Sequence, residues 1–506
     1  MLRAPSRMFW ILIGAFMLIT RVPVAARYLS IDNVNLAFAL DKFDPRMHQP
    51  QPPGYPFFVL FAKIINFVVR DPEITFLVIS VLVSFLCLPV IYELASRMFE
   101  PWVGEAAVWL LAVNPVFWFS GLDGPLRQNL ALFSLLSAYC AWHAWHGERR
   151  FIYWGAVALG VGSGFRQDLL IFLGPLWLVS AVIGSRSIRT VLFGGVLLVL
   201  VVLVWVGGLV YAVGGPREVF DLLRTYLVDQ SQSGSVVMGA ETRGWIYQVK
   251  RLVIWNSLAV LEWIWAVPLF LAAKERMKLL SAHTAFLLLW LVPGLIAQAL
   301  IHVAAPGHTL FSIPALCLIG GYVLRAGLQR WAVWDTGLIA SVAASLMLFL
   351  HFVPLPSADS RGGAWDAFAV TTFETSLENI RWLDDIHGGT LKEIRNLTIP
   401  EKKTIILIQD RPKRDWFLNK RIADYYLPQA EMRVLVDRDQ PSAETSETIP
   451  VPRHSRLLWV LETGGRLHTA LSKTNLARGG PRVLYTDIED DTMAFSVADF
   501  RIVPQP

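Results

Sequence analysis

Residues 190–213 read TVLFGGVLLVLVVLVWVGGLVYAV and contain no charged side chain. An α-helix rises about 1.5 Å per residue, so a helix of this length exceeds the roughly 30 Å hydrocarbon core of a lipid bilayer. The run therefore predicts a membrane-spanning helix.

The composition of the whole chain agrees with this interpretation. Of its 506 residues, 54% are hydrophobic and 17% are charged, and the mean hydropathy is +0.47. A soluble protein has roughly 45–50% apolar and about 25% charged residues. The composition rules out a soluble globular protein and predicts a polytopic α-helical membrane protein. Eleven apolar runs are predicted to span the membrane, namely 8–27, 74–98, 103–120, 127–145, 151–164, 168–184, 190–213, 251–273, 280–301, 309–325 and 331–352.

Two stretches of this list have alternative interpretations. Residues 8–27 follow Arg3 and Arg7 and precede a mildly cleavage-like sequence, so they form either the first span or a signal peptide. Residues 151–184 are interrupted by GSGFRQD at 162–168 and form either two short helices or one kinked helix. The alternation of basic turns favours two helices.

The basic residues of the short turns predict the orientation, because Lys and Arg are retained on the cytoplasmic side. Every second turn is basic. These turns carry Arg97, Arg149, Arg150, Arg186, Arg189, Lys274, Arg276, Lys278, Arg325 and Arg330. With eleven spans, the N-terminus is predicted to be cytoplasmic and the chain after residue 353 to lie outside.

Other classes of protein lack support in the sequence. The net charge of +5 is spread over turns rather than collected in one patch, which argues against nucleic-acid binding. Cys87, Cys140 and Cys317 lie in apolar runs without CxxC spacing, so neither a disulfide framework nor a zinc site is indicated. No Walker A, GxGxxG or HExxH motif indicates an ATPase, a dinucleotide enzyme or a zinc protease.

Two long loops and the tail lie outside in this topology. In loop 28–71, a short helix is predicted at 31–43 after the N-cap candidate Ser30, and the apolar run 57–69 is predicted to lie along the interface. Loop 214–250 is too polar to span and is a candidate gate. Residues 354–506 are predicted to form an extracytoplasmic α/β domain beside the transmembrane domain 1–353. This tail has a helix at 375–396 and strands at 404–409, 432–436, 456–461, 483–485 and 500–503.

The outward side collects the polar residues that are candidates for chemistry. Asp32 follows the first span in the first turn of a predicted helix, where the helix dipole favours an ionised carboxylate that can accept a proton. Asp123 faces the same side. The alternatives are a helix-capping acid at Asp32 and a plain Gly-Pro turn around Asp123.

Several basic residues on this side are candidates for binding an anion. Arg166 lies in apolar sequence, where an unpaired charge is costly, so it is expected to meet a lipid phosphate or to pair internally with Asp168 or another helix. Arg46 and His48 can hold phosphate or sugar hydroxyls, or merely meet lipid headgroups. His302 and His308 flank a Gly-Pro turn, and two histidines alone do not make a metal site.

The first outer loop, with Ser30-Ile31-Asp32-Asn33 followed by HQPQPPGYP at 48–56, resembles the GT-C superfamily of polytopic glycosyltransferases. It is most similar to bacterial members of the protein O-mannosyltransferase and lipid A aminoarabinose transferase type. The sequences NPVFWF at 114–119, GFRQD at 164–168, PGHT at 306–309 and DYYLP at 424–428 also look like that group.

This resemblance implies a bacterial inner-membrane enzyme that transfers a sugar from a polyprenyl-phosphate carrier to a lipid, glycan or protein acceptor on the outer face. Asp32 would be the general base of an inverting reaction, and Asp123 a second acid in the cavity. The residues implied to bind the leaving phosphate are Arg46, His48 and Arg166, and the other cavity candidates are Asn33, Tyr55, Asp168 and His308.

Many relatives carry a second acid where this chain has Asn33, which leaves the use of a divalent cation open, and no metal ligands are assigned. Two rival interpretations remain. A lipid transporter or flippase would also have intramembrane charges, although its site is expected near the midplane and between repeated halves. A non-catalytic scaffold would use the tail to bind an envelope partner.

Overall fold

The computed structural model describes residues 6–231, 234–273, 283–329, 333–351, 355, 363–409, 418–437, 448–473, 478–480, 482–489, 493–496 and 500–503. Of the basic turn residues, Lys274, Arg276, Lys278 and Arg330 lie outside this part of the chain. The chain divides into two compact units. The first comprises residues up to Ala25 together with Asn35–Asn379, and the second comprises Ala26–Val34 together with Ile380–Pro506.

Apolar helices make up most of the first unit. The α-helices between residues 6 and 373 are Arg7–Arg21, Ile31–Asp41, Pro56–Val69, Pro72–Met98, Pro101–Val113, Pro115–Asp123, Pro125–Trp145, Arg150–Phe165, Leu169–Ser185, Ile188–Val213, Pro216–Ser231, Thr242–Leu261, Val267–Ala272, Thr284–Leu300, Ile313–Leu328, Trp334–Phe349 and Ala364–Phe373. Short 3₁₀ helices occur at Val22–Val24, Pro45–Met47, Ile264–Ala266 and Pro306–Phe311.

Each predicted span coincides with helix in the described residues, but the helices differ in length. Within this part of the chain, three helical segments are long and apolar enough to cross a membrane, namely Arg7–Val24, Pro72–Met98 and Ile188–Val213, and there are five if each of two bent pairs is one span. The count of eleven spans stays a prediction. The stretch 151–184 forms two helices, as the alternation of basic turns indicated.

Two of the predicted spans are sharply bent, and the sequence did not predict these bends. The run 103–120 breaks between Val113 and Pro115 with a bend of 53°, and the run 251–273 breaks after Leu261 with a bend of 64°. At the first break, the side chain of Asn114 accepts hydrogen bonds from the amides of Val116 and Phe117, both at 3.1 Å, and so caps the second helix.

Charged residues from two other segments stabilise this break at Asn114. Its side-chain amide donates to the carboxyl of Glu262 at 2.9 Å, and the guanidinium of Arg21 donates to the carbonyl of Ala112 at 2.6 Å. Glu262 and Arg21 are fully buried. A helix break inside a membrane needs such partners because no water is present to satisfy its backbone groups.

The second unit contains an α/β fold. Its main sheet has the order β5-β6-β4-β1-β2-β8, in which β1 (Lys403–Gln409) pairs in parallel with β2 (Glu431–Asp437) and β4 (Ser455–Val460). The remaining strands are β3 (Thr448–Val451), β5 (Arg478–Gly479), β6 (Val483–Ile488), β7 (Met493–Ser496) and β8 (Phe500–Val503). The predicted strands are all present, whereas β3, β5 and β7 were not predicted. Helix Leu377–Leu397 matches the predicted helix at 375–396.

Candidate active site

Arg166 occupies the turn between helices Arg150–Phe165 and Leu169–Ser185. Its backbone N–H donates to the carbonyl of Gly162 at 2.8 Å and ends the first helix. The buried guanidinium donates to both carboxylate oxygens of Asp168, from Nε at 3.3 Å and from Nη2 at 2.8 Å. The internal pair considered from the sequence is therefore formed. A guanidinium carries five N–H donors, so one carboxylate and one phosphate can share it.

Tyr55 is brought to Arg166 by the Pro-rich bend. The bend contains cis peptide bonds at Gln49–Pro50 and Pro52–Pro53, and Tyr55 itself has a φ of 46°. The carbonyl of Tyr55 accepts the first hydrogen bond of helix Pro56–Val69, from the amide of Val59 at 3.0 Å. The guanidinium carbon of Arg166 lies 5.8 Å from the centre of the buried Tyr55 ring. The bend and the turn thus belong to one site.

Two histidines, His302 and His308, lie close enough to Arg166 to be affected by its charge. The rings of His302 and His308 lie 5.9 Å apart. Burial lowers the pKa of both, and the positive charge of Arg166 lowers it further. Nδ1 of His308 accepts from the amide of Ala304 at 3.3 Å, so the neutral ring carries its proton on Nε2. A neutral His308 can therefore donate a hydrogen bond to an anion.

Arg127 is a further cation near His308 that received no role from the sequence. Its charge contributes to the lowered pKa of His308, after burial and Arg166. A Cβ atom on Gly307 would lie 2.6 Å from Cδ of Arg127 and 3.0 Å from Oγ of Ser120. The close approach of Arg127 to the backbone of residue 307 therefore requires glycine. Asp123 is half-buried at the end of helix Pro115–Asp123, and Arg127 lies in the first turn of the next helix, Pro125–Trp145.

Arg251 is the third cation facing the histidines and was not predicted, because residue 251 was taken as the start of an apolar span. It forms an ion pair of 3.0 Å with Glu374, and its guanidinium carbon lies 4.6 Å from the centre of the Trp255 ring. Burial raises the pKa of Glu374. An apolar cavity of about 600 Å³ lies between helix Thr242–Leu261, which carries Arg251, and helix Ala364–Phe373. The cavity is lined by Trp245, Ile246, Val249, Lys250, Val253, Ile254, Ala364, Ala367 and Phe368.

Arg46 and His48 lie at the exposed part of the bend. Nε of Arg46 lies 3.1 Å from Oδ1 of Asp44, and more than half of the Arg46 side chain is exposed. The ring of His48 faces that of Tyr226, with centres 6.1 Å apart. Their role in binding phosphate stays a prediction.

Asp32 and Asn33 belong to the second compact unit. Asp32 lies half-buried in the first turn of helix Ile31–Asp41, as predicted, and Asn33 is buried. Convergence of Asp32 with Asp123 and Arg166 stays a prediction. Among the described residues, no group of three or more His, Cys, Asp and Glu side chains is arranged to hold a metal ion.

Comparison with known proteins reveals similarity in sequence and in fold. The family model of the dolichyl-phosphate-mannose-protein mannosyltransferases matches residues 49–208, a range that includes Tyr55, Asp123, Arg127, Arg166 and Asp168. No curated protein sequence matches the chain.

Two solved structures share the fold over almost the whole length. The crystal structure of ArnT from Cupriavidus metallidurans bound to undecaprenyl phosphate matches with a TM-score of 0.61 and 14% identity, covering 95% of this chain and 98% of that one. The same protein in the apo state matches with a TM-score of 0.58 and 15% identity, covering 94% of this chain and 97% of that one. The resemblance to the GT-C superfamily, predicted from the first outer loop, is thereby confirmed.

Proposed function

We propose that the chain is a membrane glycosyltransferase that takes a sugar from a polyprenyl-phosphate carrier and transfers it to an acceptor on the outer face of the membrane. One observation carries this proposal. Inside the family-matched region, the buried guanidinium of Arg166 packs against Tyr55. Together with Arg127 it acts on the half-buried His308. A concentration of cations around a neutral hydrogen-bond donor suits a phosphate.

The cations would act on the leaving group. In the proposed reaction the bond between the anomeric carbon and the phosphate oxygen breaks, and its electron pair stays on the phosphate. Arg166 and Arg127 stabilise the charge that develops there, and Nε2 of His308 donates a hydrogen bond. Preorganised charges of this kind need no rearrangement during the reaction, because Arg166 is already oriented by Asp168.

The hydrocarbon chain of the carrier would occupy the apolar cavity described above. The cavity lies between helices Thr242–Leu261 and Ala364–Phe373, and its lining is almost entirely apolar. Arg251, on the first of these helices, is held by Glu374 and Trp255, and its charge contributes to the lowered pKa of both histidines. A prenyl chain in the cavity would thus end near the cations that bind its phosphate.

Asp32 is the proposed general base. It would remove the proton of the acceptor hydroxyl while the acceptor oxygen attacks the anomeric carbon, which inverts the configuration in a single displacement. It lies half-buried in the first turn of helix Ile31–Asp41, and a carboxylate is a suitable acceptor for the proton of the attacking hydroxyl.

The test is to compare the Asp32→Asn variant with the wild type in detergent, measuring release of polyprenyl phosphate from a panel of polyprenyl-phosphate sugars supplied with envelope extract. Asp41→Asn is the matched control, because Asp41 is exposed at the far end of the same helix. We expect turnover to fall at least about 100-fold in Asp32→Asn, within the range for loss of a general base, while binding of polyprenyl phosphate persists.

Two outcomes would contradict the proposal. Equal turnover of Asp32→Asn and wild type removes Asp32 as the base. A second outcome is that the wild type releases polyprenyl phosphate from no donor but moves polyprenyl phosphate across the bilayer of reconstituted vesicles. This result would favour a flippase instead.

A further inference from the structure

The segment that leads into Asp32 is held by side chains from the C-terminal part of the chain, within the second compact unit. The amides of Arg27 and Tyr28 donate to Oδ1 of Asp384, at 2.7 and 3.2 Å. The amide of Leu29 donates to the phenol oxygen of Tyr426 at 2.9 Å. Three consecutive backbone amides are thus bound by two side chains.

Ring packing adds to these hydrogen bonds. The ring of Tyr28 meets that of Tyr426 edge to face, with centres 5.4 Å apart. On helix Leu377–Leu397, a Cβ atom on Gly388 would lie 2.6 Å from the Tyr28 ring, so the ring lies directly against the helix backbone. Edge-to-face pairs contribute beyond simple burial and also fix orientation.

The two binding side chains are themselves well supported. Tyr426 is the last residue of helix Lys420–Tyr426, whose first turn is capped by Asn419 through a hydrogen bond of 3.0 Å from the amide of Ile422. Lys420 and Asp424 form an ion pair of 2.7 Å one turn apart on this helix. Asp384 is buried and paired with Arg381 at 3.2 Å. Neither Tyr426 nor Asp384 is therefore loosely placed.

We propose that Tyr426 and Asp384 are positioning residues for Asp32. Helix Ile31–Asp41 begins two residues after Leu29. Because each planar peptide leaves only two soft dihedrals per residue, fixing the amides of 27–29 restricts where the first helical turn and its carboxylate can lie. In this proposal the second tyrosine of the DYYLP sequence at 424–428, Tyr426, holds the segment that leads into Asp32. This inference rests on the function proposed above.

The test uses Tyr426→Phe, which removes one oxygen and keeps the ring, in the full-length protein. Tyr485→Phe is the matched control, since Tyr485 lies on β6 of the same unit and stacks on Arg456 instead. We expect kcat to fall roughly tenfold in Tyr426→Phe with the KM for the donor unchanged, because small misplacements of a reacting group are costly in rate. Amide hydrogen exchange in residues 27–29 should become faster, and Tyr485→Phe should change neither quantity.

A double variant separates positioning from general loss of structure. If Tyr426 acts through Asp32, adding Tyr426→Phe to Asp32→Asn should cause no further loss of turnover. Wild-type kcat in Tyr426→Phe alongside an inactive Asp32→Asn would overturn this inference and leave the proposed function intact. Wild-type turnover in Asp32→Asn would instead contradict the proposed function itself.

Discussion

Nη2 of Arg166 lies 2.8 Å from Oδ2 of Asp168, two positions further along the chain. Both residues lie in the turn between two apolar helices, so the local sequence alone creates the pair. The carboxylate compensates for burial of the guanidinium and fixes its orientation before any ligand arrives. The turn therefore provides a preorganised cation at low electrostatic cost.

Replacing Arg166 by Gln should weaken binding of a polyprenyl phosphate about 10- to 100-fold, in line with the roughly 1.5–3 kcal/mol of a charged hydrogen bond. Arg166→Gln also leaves Asp168 without this cation and should lower the stability of the protein. The double variant Arg166→Gln/Asp168→Asn should be more stable than Arg166→Gln but should bind polyprenyl phosphate as weakly. Titration of the detergent-solubilised proteins checks both statements. Arg189→Gln serves as control, because Arg189 is exposed in the first turn of helix Ile188–Val213. If the double variant bound polyprenyl phosphate with wild-type affinity, Arg166 would not be a phosphate-binding residue.

Gly307→Ala should reduce turnover, because the added methyl group must displace Arg127, whose Cδ would lie 2.6 Å away. The control is Gly174→Ala, where no heavy atom lies within 4 Å of the added Cβ. This control should be as stable as the wild type or more so, since alanine favours helix by up to about 1 kcal/mol. Initial rates of donor turnover provide the measurement. Equal rates for both variants would mean that Arg127 has no part in the reaction.

Asn114→Ala should lower the free energy of unfolding by about 2–4 kcal/mol. The helix cap contributes about 1 kcal/mol of this, and leaving the buried Glu262 without its donor contributes roughly 1–3 kcal/mol. Asn114→Ser keeps a capping oxygen and should lose less. Thermal unfolding midpoints in detergent distinguish the two variants. Identical midpoints for Ala and Ser would show that the cap does not stabilise the break.

His387 should make the second unit sensitive to acid. Burial lowers the pKa of His387 from 6.5 to about 4. Below pH 6.5 the unfolded chain binds a proton that the folded chain binds only near pH 4, so stability is complete above pH 6.5 and falls as the pH decreases to 4. The full loss is about 3 kcal/mol. His387→Gln should abolish this part of the pH dependence, as followed by circular dichroism at pH 7 and pH 4.5. An unchanged pH profile would contradict the assignment.

Much of the fold follows from hydrophobic patterning. The long run at 188–213 and the alternating strands of the tail form helix and sheet because each must bury an apolar surface in lipid or in a core. The breaks at Asn114 and after Leu261 did not follow from this pattern. Their stability depends on Arg21 and Glu262, which are distant in sequence from the Asn114 break.

The candidate site was only partly predictable for the same reason. Arg166 and Asp168 stand out because charge is rare in apolar sequence, and Tyr55 because of the Pro-rich bend. Arg127 and Arg251 carry no comparable local signal. Their importance comes from facing His308, which depends on how the helices pack. Likewise, the sequence gives no sign that residues 26–34 belong to the same compact unit as the C-terminal part of the chain.

The hydrogen bond from Leu29 to Tyr426 joins residues 397 positions apart. This separation delays formation of the bond during synthesis of the chain. At roughly 5–20 residues per second, Tyr426 leaves the ribosome about 20–80 s after Leu29. During that interval the helices between them can enter the membrane while the loop of the proposed base lacks its anchor. Under the role proposed for Tyr426, a chain that terminates before this residue would be inserted but inactive.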